Sequence, residues 1–172
     1  MLLDRISDRP KIRGKIMQVM RGRKNDPRNP AVMMTSFTLF LYLTNLRKSP
    51  AHLIDHWLEL KIGGIFSKYE RVLIIRGNMS DLHFSDKDGK ELTIPDLNQR
   101  LLNHQRTPIE FGTAFVGFLI FLGDLKFYQA KIRKYKLTSI DVFGHKHRIV
   151  VRPERFWDLG YIQDVFGVKG LV

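Results

Sequence analysis

Alternating and clustered apolar residues in the first half of the chain predict both strands and helices. Over residues 35–46, apolar and polar positions alternate as in a half-buried strand. Ser49-Pro50 and the apolar stripe that follows predict a short helix ending at Gly63-Gly64, because serine caps a helix and proline fits its first turn. The β-branched residues 71–76 predict a further strand, with a bulge near Gly77-Asn78.

The second half continues this mixture. Thr93 and the apolar stripe after it predict a helix over residues 94–104, which Pro108 ends. Residues 111–125 are apolar nearly all round, which predicts a buried helix, although a pair of buried strands would give the same pattern. Further strands are predicted at 125–133, 137–143 and 148–151, the last two joined by a hairpin at 144–147. The expected fold class is therefore α+β: a single compact domain, mainly antiparallel sheet, with two to three packed helices.

The charge is segregated along the chain. The net charge is +12; residues 1–30 carry nine Lys and Arg against three acids, and residues 126–155 carry nine against two. We call these the first and second basic segments; the residues between them are balanced, with ten of each sign. Proline and glycine recur in residues 1–30, which predicts a flexible basic arm ahead of a globular core over 31–172. Such segregated charge favours binding to polyanions.

Basic residues in both segments are the candidate polyanion-binding residues. In the second segment, aromatic residues at 127, 128 and 135 lie between cations, where they could stack on bases or pack inward. A solvated surface without a ligand is the alternative for the basic residues themselves. The candidates are Arg5, Arg9, Lys11, Arg13, Lys15, Arg21, Arg23, Lys24, Arg28, Lys126, Lys131, Arg133, Lys134, Lys136, Lys146 and Arg148.

Patterns of catalytic chemistry are missing from the sequence. It contains no cysteine and none of the common nucleotide-binding or nucleophile motifs. His52 and His56 are spaced for one face of a helix, but nothing signals a third metal ligand. His145 and His147 lie on a predicted hairpin tip, where solvated histidines are ordinary. We therefore expect a protein that is not an enzyme and takes no cofactor, metal or small-molecule substrate.

The order of features from about Lys68 onward resembles the matrix proteins of rhabdoviruses, particularly the plant-infecting, cytorhabdovirus-like members. Lys68-Tyr69-Glu70-Arg71 leads into a strand and a polar turn, followed by the helix 94–104 and the apolar run 111–122. The pattern ends with Phe156-Trp157-Asp158 and then Phe166-Gly167. The Pro-Pro-x-Tyr budding motif of animal-virus members is not in this sequence. The resemblance implies a flexible basic arm, an α+β core, and a structural protein that self-associates, condenses the nucleocapsid and lines the inner leaflet of an envelope.

Charge and resemblance together predict a viral matrix-type structural protein. Its expected partners are the nucleocapsid or RNA, an anionic membrane surface and further copies of itself. Charged residues interrupt the apolar residues of positions 1–20, and the longest uncharged apolar run, 31–46, is shorter than a bilayer requires, so neither a signal peptide nor a membrane-spanning helix is expected. The expected location is the virion and host cytoplasm, peripherally on membranes. The alternative is an RNA-binding or ribosome-associated basic protein without catalysis.

Overall fold

Strands dominate the fold. The computed structural model describes residues 9–64, 67–74, 82–85, 91–94, 97–102 and 107–168. Within these ranges lie two α-helices, α1 (Leu97–Arg100) and α2 (Leu159–Phe166), and 3₁₀ turns at Leu125–Phe127 and Pro153–Arg155. The strands are β1 (Ile12–Asp26), β2 (Asn29–Asn45), β3 (Leu53–Ile62), β4 (Tyr69–Ile74), β5 (Leu82–Ser85), β6 (Glu91–Ile94), β7 (Ala114–Gly123), β8 (Ile132–Asp141) and β9 (Lys146–Val151).

Seven strands form one antiparallel sheet in the order β1-β2-β7-β4-β3-β8-β9, and β5 pairs separately with β6. The sheet is rolled, so that its first and last strands approach each other. The backbone N–H of Ile12 in β1 donates to Nδ1 of His147 in β9 at 3.4 Å. A Cβ placed on Gly14 would lie only 2.7 Å from Cδ1 of Ile149. The roll gives the sheet an inner face, enclosed by its own strands, and an outer face.

Apolar side chains fill the inner face, and helices cover part of the outer one. In β2, Phe37, Leu39 and Leu41 point inward and are fully buried, as the predicted alternation of that strand requires. On the outer face of β1, β2 and β7, the rings of Phe40, Phe118 and Phe166 pack with centroids 5.0, 5.1 and 5.4 Å apart, where α2 lies on the sheet. Among the described residues, no helix packs on the outer face of β4, β3, β8 and β9.

The expected α+β fold is wrong. The chain is mostly antiparallel sheet, and its described helices are one of eight residues and one of four. Part of the helix predicted over 94–104 exists as α1, but residues 103–106 lie outside the described residues. The predicted strand bulge near Gly77-Asn78 also lies outside them.

The helix predicted before Gly63-Gly64 is strand β3. The stripe at 53, 54, 57 and 58 fits a helical period, but the same residues also alternate. His56, Leu58 and Leu60 are buried on the inner face, while Trp57 and Glu59 between them are half-buried on the outer face. Pairing with β4 on one side and β8 on the other satisfies the backbone hydrogen-bonding groups of β3, which favours the strand over a helix.

The apolar run predicted as a buried helix is strand β7. Both faces of this strand are covered: Leu119 and Phe121 lie in the inner core, and Phe118 and Ile120 lie in the outer cluster beneath α2. A strand buried on both sides loses its polar alternation and looks like a buried helix in sequence. Residues 125–127 form a 3₁₀ turn instead of the start of the predicted strand, which begins only at Ile132.

The flexible arm expected at the start of the chain is wrong for residues 12–26. These residues form β1, which pairs with β2 from Ile12↔Asn45 to Asp26↔Asn29. Ile16 and Val19 join the inner core, and Met17 joins the outer cluster. The expected division between arm and core at residue 30 falls inside β2. The predicted strands 35–46 and 148–151 and the hairpin between β8 and β9 are confirmed.

A candidate polyanion-binding surface

The two basic segments, far apart in sequence, meet at one end of the rolled sheet. Nη1 of Arg21, on β1, donates hydrogen bonds to three carbonyl oxygens of the loop 127–130, at 2.8, 3.2 and 3.3 Å. The guanidinium of Arg23 lies 5.2 Å from the ring centroid of Tyr128 in the same loop. Because Lys131 follows this loop directly, β1 helps to position the cations at the start of β8.

A cleft of about 430 Å³ opens at this end. We call it the basic cleft. Five of its seven lining side chains are cationic and one is a carboxylate. The lining residues are Lys61, Lys131, Ile132, Arg133, Lys134, Arg152 and Glu154.

Strand register explains why the cations converge. Lys61 of β3 lies directly opposite Lys134 of β8, and Arg152 follows the end of β9, the other neighbour of β8. Like charges placed directly opposite each other destabilise a strand pair. A phosphate bound in the basic cleft would be attracted by both of these charges.

The charge continues from the basic cleft along the outer face of β4, β3, β8 and β9, on which no described helix packs. In the row nearest the basic cleft, Tyr69 of β4 lies beside Lys61 of β3. In the next row, Glu59 of β3 lies between Arg71 of β4 and Lys136 of β8, and Trp57 of β3 occupies the row after that. Glu59 binds Lys136 at 2.8 Å. We call this surface the basic sheet face; its outward side chains include the cations Lys61, Arg71, Lys134, Lys136, Lys146 and Arg148 and the aromatics Trp57 and Tyr69.

The rings on the basic sheet face lie beneath cations. The guanidinium of Arg71 is 5.0 Å and the ammonium of Lys146 is 5.8 Å from the ring centroid of Trp57. The ammonium of Lys136 is 4.3 Å from the ring centroid of Tyr69. Cations at these distances are attracted by the ring quadrupole, so each ring holds positive charge on the outer side of the sheet.

Some predicted candidates carry charges that are already neutralised nearby. Lys126 binds Glu70 at 2.8 Å, and this hydrogen bond raises the pKa of Lys126. Arg28 binds Asp26 at 3.2 Å, and the pair raises the pKa of Arg28 while lowering that of Asp26. Burial lowers the pKa of Lys24. These three cations lie apart from the lining of the basic cleft.

The remaining candidates of the first basic segment lie toward the other end of β1. Lys11, Arg13 and Lys15 are exposed there, and the ammonium of Lys15 lies 5.4 Å from the ring centroid of Trp157. Arg9 is exposed just before β1, and Arg5 lies outside the described residues. The first basic segment is thus divided: among its described cations, Arg21 and Arg23 contact the loop that leads into the basic cleft.

Two of the three aromatic residues considered for base stacking face the core. The ring of Phe37 packs against Phe127 and Tyr135, with centroids 6.4 and 6.5 Å away. Burial raises the pKa of Tyr135 to about 12. Of the three, only Tyr128 is half-buried, and it lies beneath Arg23.

The histidines do not form the helical pair considered from sequence. His56 points into the core and shares a 2.8 Å hydrogen bond with Ser139 Oγ, while His52 is exposed before β3. His145 and His147 are not freely solvated, because both bind the buried carboxylate of Asp141, at 3.2 and 3.0 Å. In the part of the chain that the structure describes, no group of three or more His, Asp or Glu side chains is arranged to hold a metal ion.

Five residues of this surface were not predicted from the sequence: Lys61, Trp57, Tyr69, Arg71 and Arg152. Four of them lie in the charge-balanced middle of the chain, where a count of charge by segment gives no signal. The alternation of polar and apolar residues in 55–62 could have placed Trp57 and Lys61 on one face of a strand.

Comparison of the chain with protein-family models, curated protein sequences and solved structures found no match. No helix among the described residues is long and apolar enough to cross a membrane.

Proposed function

We propose that this protein is a non-catalytic, matrix-type structural protein that binds RNA or an RNA-containing nucleocapsid through the basic cleft. The observation that carries the proposal is the convergence of Lys61, Lys131, Arg133, Lys134 and Arg152 on one cleft beside a single carboxylate. Lysine and arginine bind phosphate by charge-assisted hydrogen bonds, and their affinity for nucleic acid comes largely from the release of counterions.

A matrix-type protein would, in addition to binding RNA, bind an anionic membrane and associate with further copies of itself. Each Lys or Arg close to an anionic leaflet contributes about 1 kcal/mol to membrane binding, so a chain with this charge excess needs no lipid anchor to bind peripherally. The resemblance to rhabdovirus matrix proteins supports this setting through sequence pattern alone, since the α+β fold it implied is wrong. On this proposal the protein works in the virion and host cytoplasm.

The test is a pair of charge-reversal variants with equal changes in net charge. Lys131→Glu with Lys134→Glu removes two cations from the basic cleft. The control, Lys11→Glu with Lys48→Glu, removes two exposed lysines elsewhere on the molecule. RNA binding is measured by filter binding across a salt series, after circular dichroism has shown that each variant is folded.

We expect the full chain to bind RNA with an affinity that falls steeply as the salt concentration rises. In a plot of the logarithm of the binding constant against the logarithm of the salt concentration, each phosphate neutralised on a single strand adds about −0.7 to the slope. The cleft variant should lose about tenfold or more in affinity at low salt and show a shallower slope, and the control should lose much less. Equal losses would show that only the overall charge matters, and no RNA binding by the full chain at low salt would overturn the proposal.

Parallel sedimentation with phosphatidylserine-containing vesicles, and sedimentation velocity over a range of protein concentrations, test the matrix-type setting. Salt-sensitive vesicle binding and concentration-dependent assembly are the expected results. Binding to RNA without either property would identify a plain RNA-binding protein instead.

A further inference from the structure

We infer that the basic sheet face binds single-stranded RNA, with Trp57 and Tyr69 stacking on its bases; this inference rests on the proposed RNA-binding function and names the form of RNA. The basic cleft alone would bind phosphates of any nucleic acid. Aromatic rings add a contact that only unpaired bases can make, because bases in a duplex are already stacked on one another.

The placement of the two rings suits an RNA strand that leaves the basic cleft and follows β3 across the sheet. Tyr69 lies beside Lys61, which also lines the basic cleft, and Trp57 lies on β3 four residues before Lys61. At about 3.3 Å per residue the two rings are separated by roughly 13 Å along β3. They would therefore contact different bases of one strand whose phosphates enter the cleft.

The cations around the rings supply contacts for the phosphates between those bases. Arg71 and Lys146 lie over Trp57, and Lys136 lies over Tyr69. A base stacks on such a ring by displacing the cation that lies over it, and the displaced cation then lies close to the phosphate of that base. Glu59 offsets the charge of Lys136, which it binds at 2.8 Å, so the phosphate contacts come mainly from Arg71 and Lys146 around Trp57.

Single-stranded RNA fits this face better than a lipid surface does. A bilayer surface favours apolar side chains that project from the protein into the headgroup region. Trp57 and Tyr69 are instead half-buried, with their rings beneath cations. Val150 is exposed on this face, but the most exposed of the large apolar side chains described, Phe143 at 66%, lies on the β8–β9 hairpin.

Trp157 provides a matched control for the test. The chain has two tryptophans, and Trp157 is also half-buried beneath a lysine, but it packs against the helix-covered cluster on the other part of the outer face. Trp157→Phe leaves Trp57 as the sole tryptophan reporter, and Trp57→Phe leaves Trp157. Both full-length variants are titrated at low salt with a uridine-rich single strand, with a duplex RNA of equal length, and with phosphatidylserine-containing vesicles, while tryptophan fluorescence and RNA binding are recorded together.

The single strand should quench Trp57 in the Trp157→Phe variant and leave Trp157 unchanged in the Trp57→Phe variant, and the duplex should quench neither. Trp57→Ala should weaken single-strand binding about tenfold and change duplex binding less than twofold. The quenching measurement does not depend on the folding of that alanine variant.

The inference is overturned, with the proposed function intact, if RNA binds to the Trp157→Phe variant without changing Trp57 fluorescence, or if single strand and duplex quench Trp57 equally. A Trp57 response to vesicles but not to bound RNA would also overturn it and would assign the face to lipid. If the full chain binds neither form of RNA, the inference falls together with the proposed function.

Discussion

Gly117 illustrates how single residues of this fold are fixed by close packing. It lies on β7, where a Cβ would collide with the backbone carbonyl oxygen of Arg100 in α1 and with the ring of Phe115. A carbonyl oxygen of the backbone cannot rotate away as the end of a flexible side chain can. The absence of a side chain at this position is therefore what allows α1 to lie against the sheet.

Gly117→Ala should destabilise the protein by about 1–3 kcal/mol, the usual cost of an inserted methyl group in a packed interior. Gly64→Ala is the matched control, since nothing lies within 4 Å of a Cβ there and its change in stability should stay below about 0.5 kcal/mol. Urea denaturation of both variants measures the difference. Equal stabilities would show that α1 moves aside without cost.

Individual site residues could be predicted from sequence only where charge is locally dense. Lys131, Arg133 and Lys134 stood out because they follow one another within the second basic segment. Lys61 and Arg71 gave no signal of charge density, because each is surrounded in sequence by acids and apolar residues, and only strand pairing brings β3 and β4 side by side.

At the scale of elements, β1 is both basic and structural. Its exposed side chains carry part of the charge excess, and Ile16, Met17 and Val19 are buried on its two faces. The apolar residues of β1, at 12, 16, 17, 19 and 20, do not alternate regularly, because the strand has a register shift between Ile16 and Gln18, and proline and glycine suggested flexibility. Long-range pairing with β2, which a local pattern does not reveal, decided the outcome.

A chain that starts at Ala31 should therefore lose its native fold, and not only its basic charge. Burying each of these large apolar residues contributes a few kcal/mol, which together is comparable with the total stability of a domain. Thermal unfolding followed by circular dichroism should show no cooperative transition. The control, Arg13→Gln with Lys15→Gln, removes two positive charges from the same segment but keeps β1. This variant should unfold cooperatively near the unfolding temperature of the natural sequence. A cooperative transition in the shortened chain would contradict the structural role of β1.

The strands β3 and β7 show why element type was mistaken elsewhere. In β3, apolar residues fit both a helical and an alternating period, and the neighbouring strands that decide between them come from residues 69–74 and 132–141. In β7, cover on both faces removes the alternation altogether. Strands such as β2, with one regular apolar face, were predictable from sequence because their own pattern is unambiguous.

Across the whole molecule, a buried carboxylate links the last strands of the sheet to the first. Asp141 Oδ2 binds Nε2 of His147 at 3.0 Å, and Nδ1 of the same ring accepts the N–H of Ile12 in β1. Burial by itself raises the pKa of Asp141, but hydrogen bonds from His147, His145 and the backbone of Phe143 outweigh burial and leave the pKa below its ordinary value.

This lowered pKa predicts how stability depends on pH. A carboxyl that is more acidic in the folded than in the unfolded protein stabilises the fold above its unfolded pKa of about 3.9 and loses that contribution as the pH falls through the folded value. Asp141→Asn should cost about 1–3 kcal/mol at pH 7. The difference in the free energy of unfolding between the natural and variant proteins should shrink below a pH of about 3.9, as measured by urea unfolding over a pH series. A difference that stays constant with pH would show that the charge of Asp141 contributes nothing to stability.

The contact between Ile12 and His147 joins positions 135 residues apart, which has a consequence for how the chain folds. Proteins dominated by such distant contacts fold slowly, because the entropy of closing a long loop is lost before the contacts form. During synthesis, β1 and β2 can pair early, but the ring of strands cannot close until β9 has left the ribosome. The basic cleft draws its lining from residues 61 to 154, so it forms only after all of these residues have left the ribosome.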